Sequence, residues 1–85
     1  MKYKIGDRVY KFDGFTYIIQ NGKTMKEIEI KIGIIRKIID NHYYIKWFDF
    51  CTDFPNENLY EEDENYLYPN ADDLVKDIRK QYATA

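Results

Sequence analysis

In 85 residues the chain has one cysteine, one histidine, two prolines and four glycines. A lone Cys51 cannot close an internal disulfide, and a single histidine, His42, leaves no Cys/His set for structural zinc. Apolar runs stop at short stretches such as Ile34-Ile35, far below the roughly 20 residues that a membrane span requires. The opening Met1-Lys2-Tyr3-Lys4-Ile5 has no apolar core of a signal peptide, so a soluble, cytoplasmic protein is expected. Gly-rich phosphate loops, G-x-S-x-G and H-E-x-x-H are all missing. The length excludes a two-domain enzyme or a doubly wound nucleotide-binding fold.

What is present is a globular balance of 45% apolar and 33% charged residues, with aromatics at 18% and nine tyrosines. A formal charge of −2 is too small to steer a nucleic acid or a membrane by itself. Ile, Lys, Tyr, Asn and Phe make up 42 of the 85 residues. All five have A/T-rich codons, a hint of a low-GC bacterial or phage gene.

Period-2 patterns dominate the first half. Arg8-Val9-Tyr10-Lys11-Phe12 follows the turn residues Gly6-Asp7, and Asp13-Gly14 interrupts it. Phe15-Thr16-Tyr17-Ile18-Ile19-Gln20 runs into Asn21-Gly22, a strong hairpin signal because both positions tolerate positive φ. Glu27-Ile28-Glu29-Ile30-Lys31-Ile32 alternates strictly, as a strand with one wet face does. Gly33 precedes the doubled pairs of Ile34-Ile35-Arg36-Lys37-Ile38-Ile39, which suggest a bulge or bend. Asp40-Asn41-His42 is a turn. In the strand Tyr43-Tyr44-Ile45-Lys46-Trp47-Phe48, residues 43, 45 and 47 share one face and 44, 46 and 48 the other.

The second half differs. Asp49 to Glu64 reads as a long acidic loop with Phe54, Leu59 and Tyr60 as anchors. Asn65-Tyr66-Leu67-Tyr68 reads as a last short strand stopped by Pro69. Asn70 is an N-cap, Asp72 and Asp73 complement the helix dipole, and Leu74, Val75, Ile78 and Tyr82 line one face. A helix over about 71–82 is therefore predicted, with Ala83-Thr84-Ala85 fraying.

Five or six strands without intervening helices predict an antiparallel sheet, closed in so small a chain into a barrel. The fold class expected is mainly β, a single domain over 1–85 with strands about 5–68 and one C-terminal helix. Its interior would hold Ile5, Val9, Ile18, Ile30, Ile32, Ile35, Ile38, Ile45, Trp47, Leu67 and Leu74.

The segments Ile5-Gly6-Asp7-Arg8-Val9, Gly33-Ile34-Ile35 to Ile39, Tyr43-Tyr44-Ile45-Lys46-Trp47-Phe48-Asp49, Tyr68-Pro69 and Asp73-Leu74 cover roughly half the chain. Together they resemble the small SH3-like barrels, the Tudor, KOW and Mind bomb-type domains. That resemblance implies an SH3-like antiparallel barrel of five or six strands. Two departures are a long acidic loop where the family turns tightly after the tryptophan strand, and a longer hairpin at 15–32.

Each functional reading has a plain structural rival. Catalysis is not expected: His42 reads as a solvated turn residue, and Cys51 as a structural thiol rather than a nucleophile. From Trp47 to Asp77 ten acids face one lysine, whereas residues 1–46 carry ten basic residues against five acids. The acidic run is either a solubilising loop or a surface for a basic protein. In the second case Glu61, Glu62, Asp63 and Glu64 supply charge, and Tyr60 and Tyr66 supply anchors. A phage-encoded inhibitor or DNA mimic acting on a basic host protein would work this way. A calcium loop is not indicated, because the alternate-position spacing and the glycine are missing.

The alternative is single-stranded nucleic acid held by Arg8, Tyr10, Arg36, Lys37, Tyr44, Lys46 and Phe48, the mixture of cations and aromatic platforms that small barrels use. A Tudor-like cage from Tyr10, Tyr17, Tyr44 and Phe48 competes with plain packing. The reading is thus a non-catalytic protein-binding module, without cofactor, metal or membrane partner, as a monomer or weak homodimer.

Overall fold

The computed structural model describes residues 2–48 and 58–82. The expectations placed on Asp49, Cys51, Asp53, Phe54, Glu57 and the 83–85 tail lie outside them. The architecture is mainly β: an open, curled antiparallel sheet of four strands in the order β1-β2-β3-β4, followed by a 3-10 turn and one helix. The strands are β1 (Arg8–Gln20), β2 (Lys23–Ile39), β3 (His42–Trp47) and β4 (Tyr60–Glu62), and the helix is α1 (Ala71–Tyr82).

The expected closed barrel of five or six strands is not formed. Four segments expected as separate strands fuse in pairs. Asp13 and Gly14 make a bulge inside β1, between the pairs Phe12–Ile30 and Phe15–Ile28. Gly14 takes φ +91, a conformation a side chain resists, so the interruption seen in the sequence is a kink and not a strand end. β2 likewise runs through Gly33, and its bulge falls at Arg36, between the pairs Ile35–Ile45 and Lys37–Tyr44. β4 arises inside the stretch expected as loop. The expected last strand is instead a 3-10 turn at Glu64–Tyr66 and a single bridge, Tyr10–Tyr68, closed by hydrogen bonds of 2.9 and 2.8 Å.

The turns follow their residues. Asn21 (φ 52) and Gly22 (φ 76) join β1 to β2, while Asp40 (φ 49) and Asn41 (φ 65) join β2 to β3. Both are two-residue hairpin turns with positive φ at each position. In α1 the Asp73 N–H donates to Asn70 Oδ1 at 2.8 Å, a cap worth roughly 1 kcal/mol.

The core lies on the inner face of the curl: Tyr3, Val9, Ile35, Tyr43, Ile45 and Leu67, with Ile38 and Trp47 packed against it. Gly33 pairs with both Val9 and Trp47, and a Cβ there would stand 2.6 Å from Ile45 Cγ2 and 2.7 Å from Trp47 Cε3. The missing side chain is what lets the indole lie on the sheet. Four members of the expected interior are outside it: Ile5 is 65% exposed and Ile18 38%, while Ile30 and Ile32 pair with Phe12 and Tyr10 on the opposite face, because the strand parity that turns Val9 and Gly33 inward turns them outward. Ile5 sits in the turn before β1, and Ile18 sits on the end of the β1–β2 hairpin, which runs past the body of the sheet as a two-stranded arm.

Tyr3 and Tyr43 take their places in the core, joined edge to face at 5.6 Å. The Tyr3 N–H donates to the Tyr43 hydroxyl at 3.0 Å, and the Tyr3 hydroxyl donates to the Leu67 carbonyl at 3.0 Å. Both hydroxyls are therefore paired within the core, as burial demands. On the opposite face of β1, Phe12 and Phe15 meet Tyr82 of α1, with ring centroids 6.1 and 5.2 Å apart, and Leu74 and Ile78 are buried.

Candidate functional site

The acidic segment is tied into its own molecule. Glu62 bonds Lys11 Nζ at 2.7 Å, and because β1 and β4 are the two outer strands of the sheet, this pair spans the gap that a closed barrel would fill with a strand. Glu61 meets His42 Nδ1 at 2.6 Å, an exposed pair of the kind that contributes little to stability. Asp63 caps the 3-10 turn by accepting from the Asn65 N–H at 2.8 Å, and Glu64 accepts from the Lys2 N–H at 2.9 Å. Each of the four carboxylates thus has an intramolecular partner. Tyr60 and Tyr66 are 49% and 63% exposed.

The basic set is placed differently. Val9 points into the core, so its neighbour Arg8 points to the outer face. There Arg8, Ile34 and Lys46 lie side by side across β1, β2 and β3. Lys37, Tyr44 and the carboxylate-bearing Glu61 form the next row, and Tyr10, paired with Ile32, and Phe48, whose N–H donates to the Ile32 carbonyl, flank the first row on its other side. The bulge carries the design of this face. Arg36 is the extra residue between two paired positions, which sets it beside Lys37. Together with Lys46 and Leu59 they line one shallow groove. All seven residues read from sequence as a nucleic-acid set therefore gather around one sheet face. Among the described residues none of Arg8, Arg36, Lys37 and Lys46 is in an ion pair, whereas Lys11 and Lys31 are.

The cage candidates do not converge. Tyr17 stands on the arm, 64% exposed, far along β1 from the row that holds Tyr44. The charge on Lys26 rests over the Phe15 ring at 3.9 Å, on the arm beside α1. Sequence reasoning passed over Leu59 as a groove residue. It also could not place Arg36 beside Lys37 on one side, because strict alternation sends neighbours to opposite faces and only a bulge reverses that.

Among the described residues no three of His, Cys, Asp and Glu are placed to hold a metal ion, and no helix is long and apolar enough to cross a membrane. Burial and the Tyr68 hydroxyl's bond to Asp77 act on tyrosines of the framework. The Tyr68 hydroxyl donates to Asp77 Oδ2, and this bond, with burial, pushes its pKa up to about 12. Burial, reinforced by Glu64, raises that of Tyr3. Compared with family models, curated proteins and solved structures, the chain matches none.

Proposed function

We propose that the protein is a non-catalytic binding module of SH3-like design whose outer sheet face takes a polyanionic strand, single-stranded nucleic acid being the ligand its chemistry suits. The SH3-like reading is supported by the path after β4, where a 3-10 turn returns the chain to β1 through the Tyr10–Tyr68 bridge. The observation that carries the functional reading is the cationic row and groove of Arg8, Arg36, Lys37 and Lys46, in no ion pair among the described residues, beside Tyr44 and Phe48. Cations neutralise phosphates and aromatic rings stack bases, a combination that tolerates any sequence.

Anisotropy of a labelled single strand, titrated at several salt concentrations, tests it. If all four cations each neutralise one phosphate, log affinity falls against log salt with a slope of about −2.8. Lys37→Glu with Lys46→Glu should lower affinity and flatten that slope by about half. Absence of binding at low salt refutes the reading.

A second reading rests on the exposure of Tyr60 and Tyr66 beside the acidic run, a surface suited to a basic protein partner such as the host target of an inhibitor. Tyr60→Ala with Tyr66→Ala should abolish capture of that partner while leaving strand binding intact.

A further inference from the structure

The β1–β2 arm is unlike the rest of the molecule. Beyond the Tyr10–Tyr68 bridge no described strand pairs with the outer edge of β1 from Lys11 to Gln20; α1 meets β1 through Phe12 and Phe15, and Tyr17 to Gln20 are exposed. Ile19 is 78% exposed, Tyr17 64%, Met25 49% and Ile18 38%. Long, apolar strand edges are ordinarily blunted by charge or proline. The β2 side of the arm is blunted, with Lys23, Lys26, Glu27, Glu29 and Lys31. The β1 side, Gly14 to Gln20, has no charge and no proline at all.

The hairpin geometry says which groups that edge offers. A two-residue turn makes its flanking pair, Gln20 and Lys23, a hydrogen-bonded one. Thr16 and Ile18 then turn their N–H and C=O toward β2, while Phe15, Tyr17 and Ile19 turn theirs outward. The outward groups belong to the same three residues whose side chains share the α1 face of the arm.

We propose that this edge is a dimerisation element on which a second copy of the chain docks, β1 against β1, antiparallel about Tyr17. In that register Tyr17 faces Tyr17 of the second copy, and Phe15 and Ile19 face each other twice. The three pairs exchange six main-chain hydrogen bonds, and one apolar row becomes continuous across both copies. An uncharged edge meets its own copy without repulsion, and a two-fold contact uses up both β1 edges, so assembly stops at two. The charged β2 edges left outside are poor templates for growth. The inference is independent of the ligand of the basic face.

Sedimentation of the full chain over a wide concentration range tests it. A monomer–dimer equilibrium is expected, and Ile19→Lys should halve the sedimenting mass with an unchanged circular dichroism spectrum. Tyr17→Pro should do the same, because it removes an outward N–H and spares the β1–β2 ladder. Should the proline unfold the arm, Ile19→Lys alone decides. Tyr17→Cys in a Cys51→Ser background should oxidise to a covalent dimer, and Thr24→Cys on the other edge should not. A wild-type monomer at the highest concentration, a dimer that survives Ile19→Lys, or cross-linking through position 24 instead of 17 overturns the proposal.

Discussion

Replacing Gly33 by alanine adds one methyl group at the most crowded point of the sheet. That Cβ would lie 2.6 Å from Ile45 Cγ2, 2.7 Å from Trp47 Cε3 and 2.9 Å from the Lys46 carbonyl oxygen. The first two can shift only by disturbing buried neighbours, and the third is main chain held in the β2–β3 ladder. Overpacking of this kind costs roughly 1–3 kcal/mol. Stiffening the unfolded chain returns about 0.4–1 kcal/mol, since Gly33 is not in the left-handed region and alanine suits its backbone. The net loss expected is about 1–2 kcal/mol, or about 5–15 °C in the melting temperature of a domain this small. Trp47 is the one tryptophan, so its fluorescence in a urea titration reads the transition directly. Trp47→Leu combined with Gly33→Ala, followed by circular dichroism, should cost less than the two single changes together. A Gly33→Ala protein as stable as the parent would refute the close packing of indole on glycine.

Tyr43→Phe removes the acceptor of the Tyr3 N–H from the core and should cost about 1–3 kcal/mol in denaturant unfolding, whereas Tyr44→Phe, on the outer face, should be nearly neutral. Glu62→Ala should destabilise more than Glu61→Ala, because the Lys11–Glu62 pair is half-buried and the His42–Glu61 pair exposed; equal losses would contradict the bridging of the outer strands. Tyr68 titrates near 10.0 unfolded and at about 12 folded, so its bond to Asp77 stabilises the protein fully below pH 10. That contribution fades as the pH rises toward 12, and urea midpoints of Tyr68→Phe should therefore fall less steeply over this window than those of the parent.

What could be seen in the sequence was local. Asn21-Gly22 makes its turn, and Glu27 to Ile32 alternates between exposed and half-buried as its charges require. The helix starts after Asn70 and covers Ala71–Tyr82. What escaped reading depends on distance along the chain. Periodicity assigns Ile18 a face, but it cannot say that the hairpin outruns the body that would have covered that face. At 60–62 only Tyr60 favours a strand, and Glu61 and Glu62 join β4 by pairing with Tyr44 and Tyr43. Tyr3 looks like a terminal polar residue until Tyr43 and Leu67 are brought to it. The basic face was legible as a set of residue types, yet its groove needed the Arg36 bulge, whose position the doubled isoleucines placed only nearby.

The tyrosine that locks the core from the N-terminal side donates its hydroxyl hydrogen bond to a carbonyl 64 residues later. A nascent chain emerging from the ribosome therefore makes its first hairpin early but has nothing to shut it against until Leu67 appears. Synthesis leaves Val9, Ile35 and Ile45 without part of their cover until residue 67 has been made. A nascent chain stalled before Leu67 is accordingly the form in which this protein is most open to chaperones.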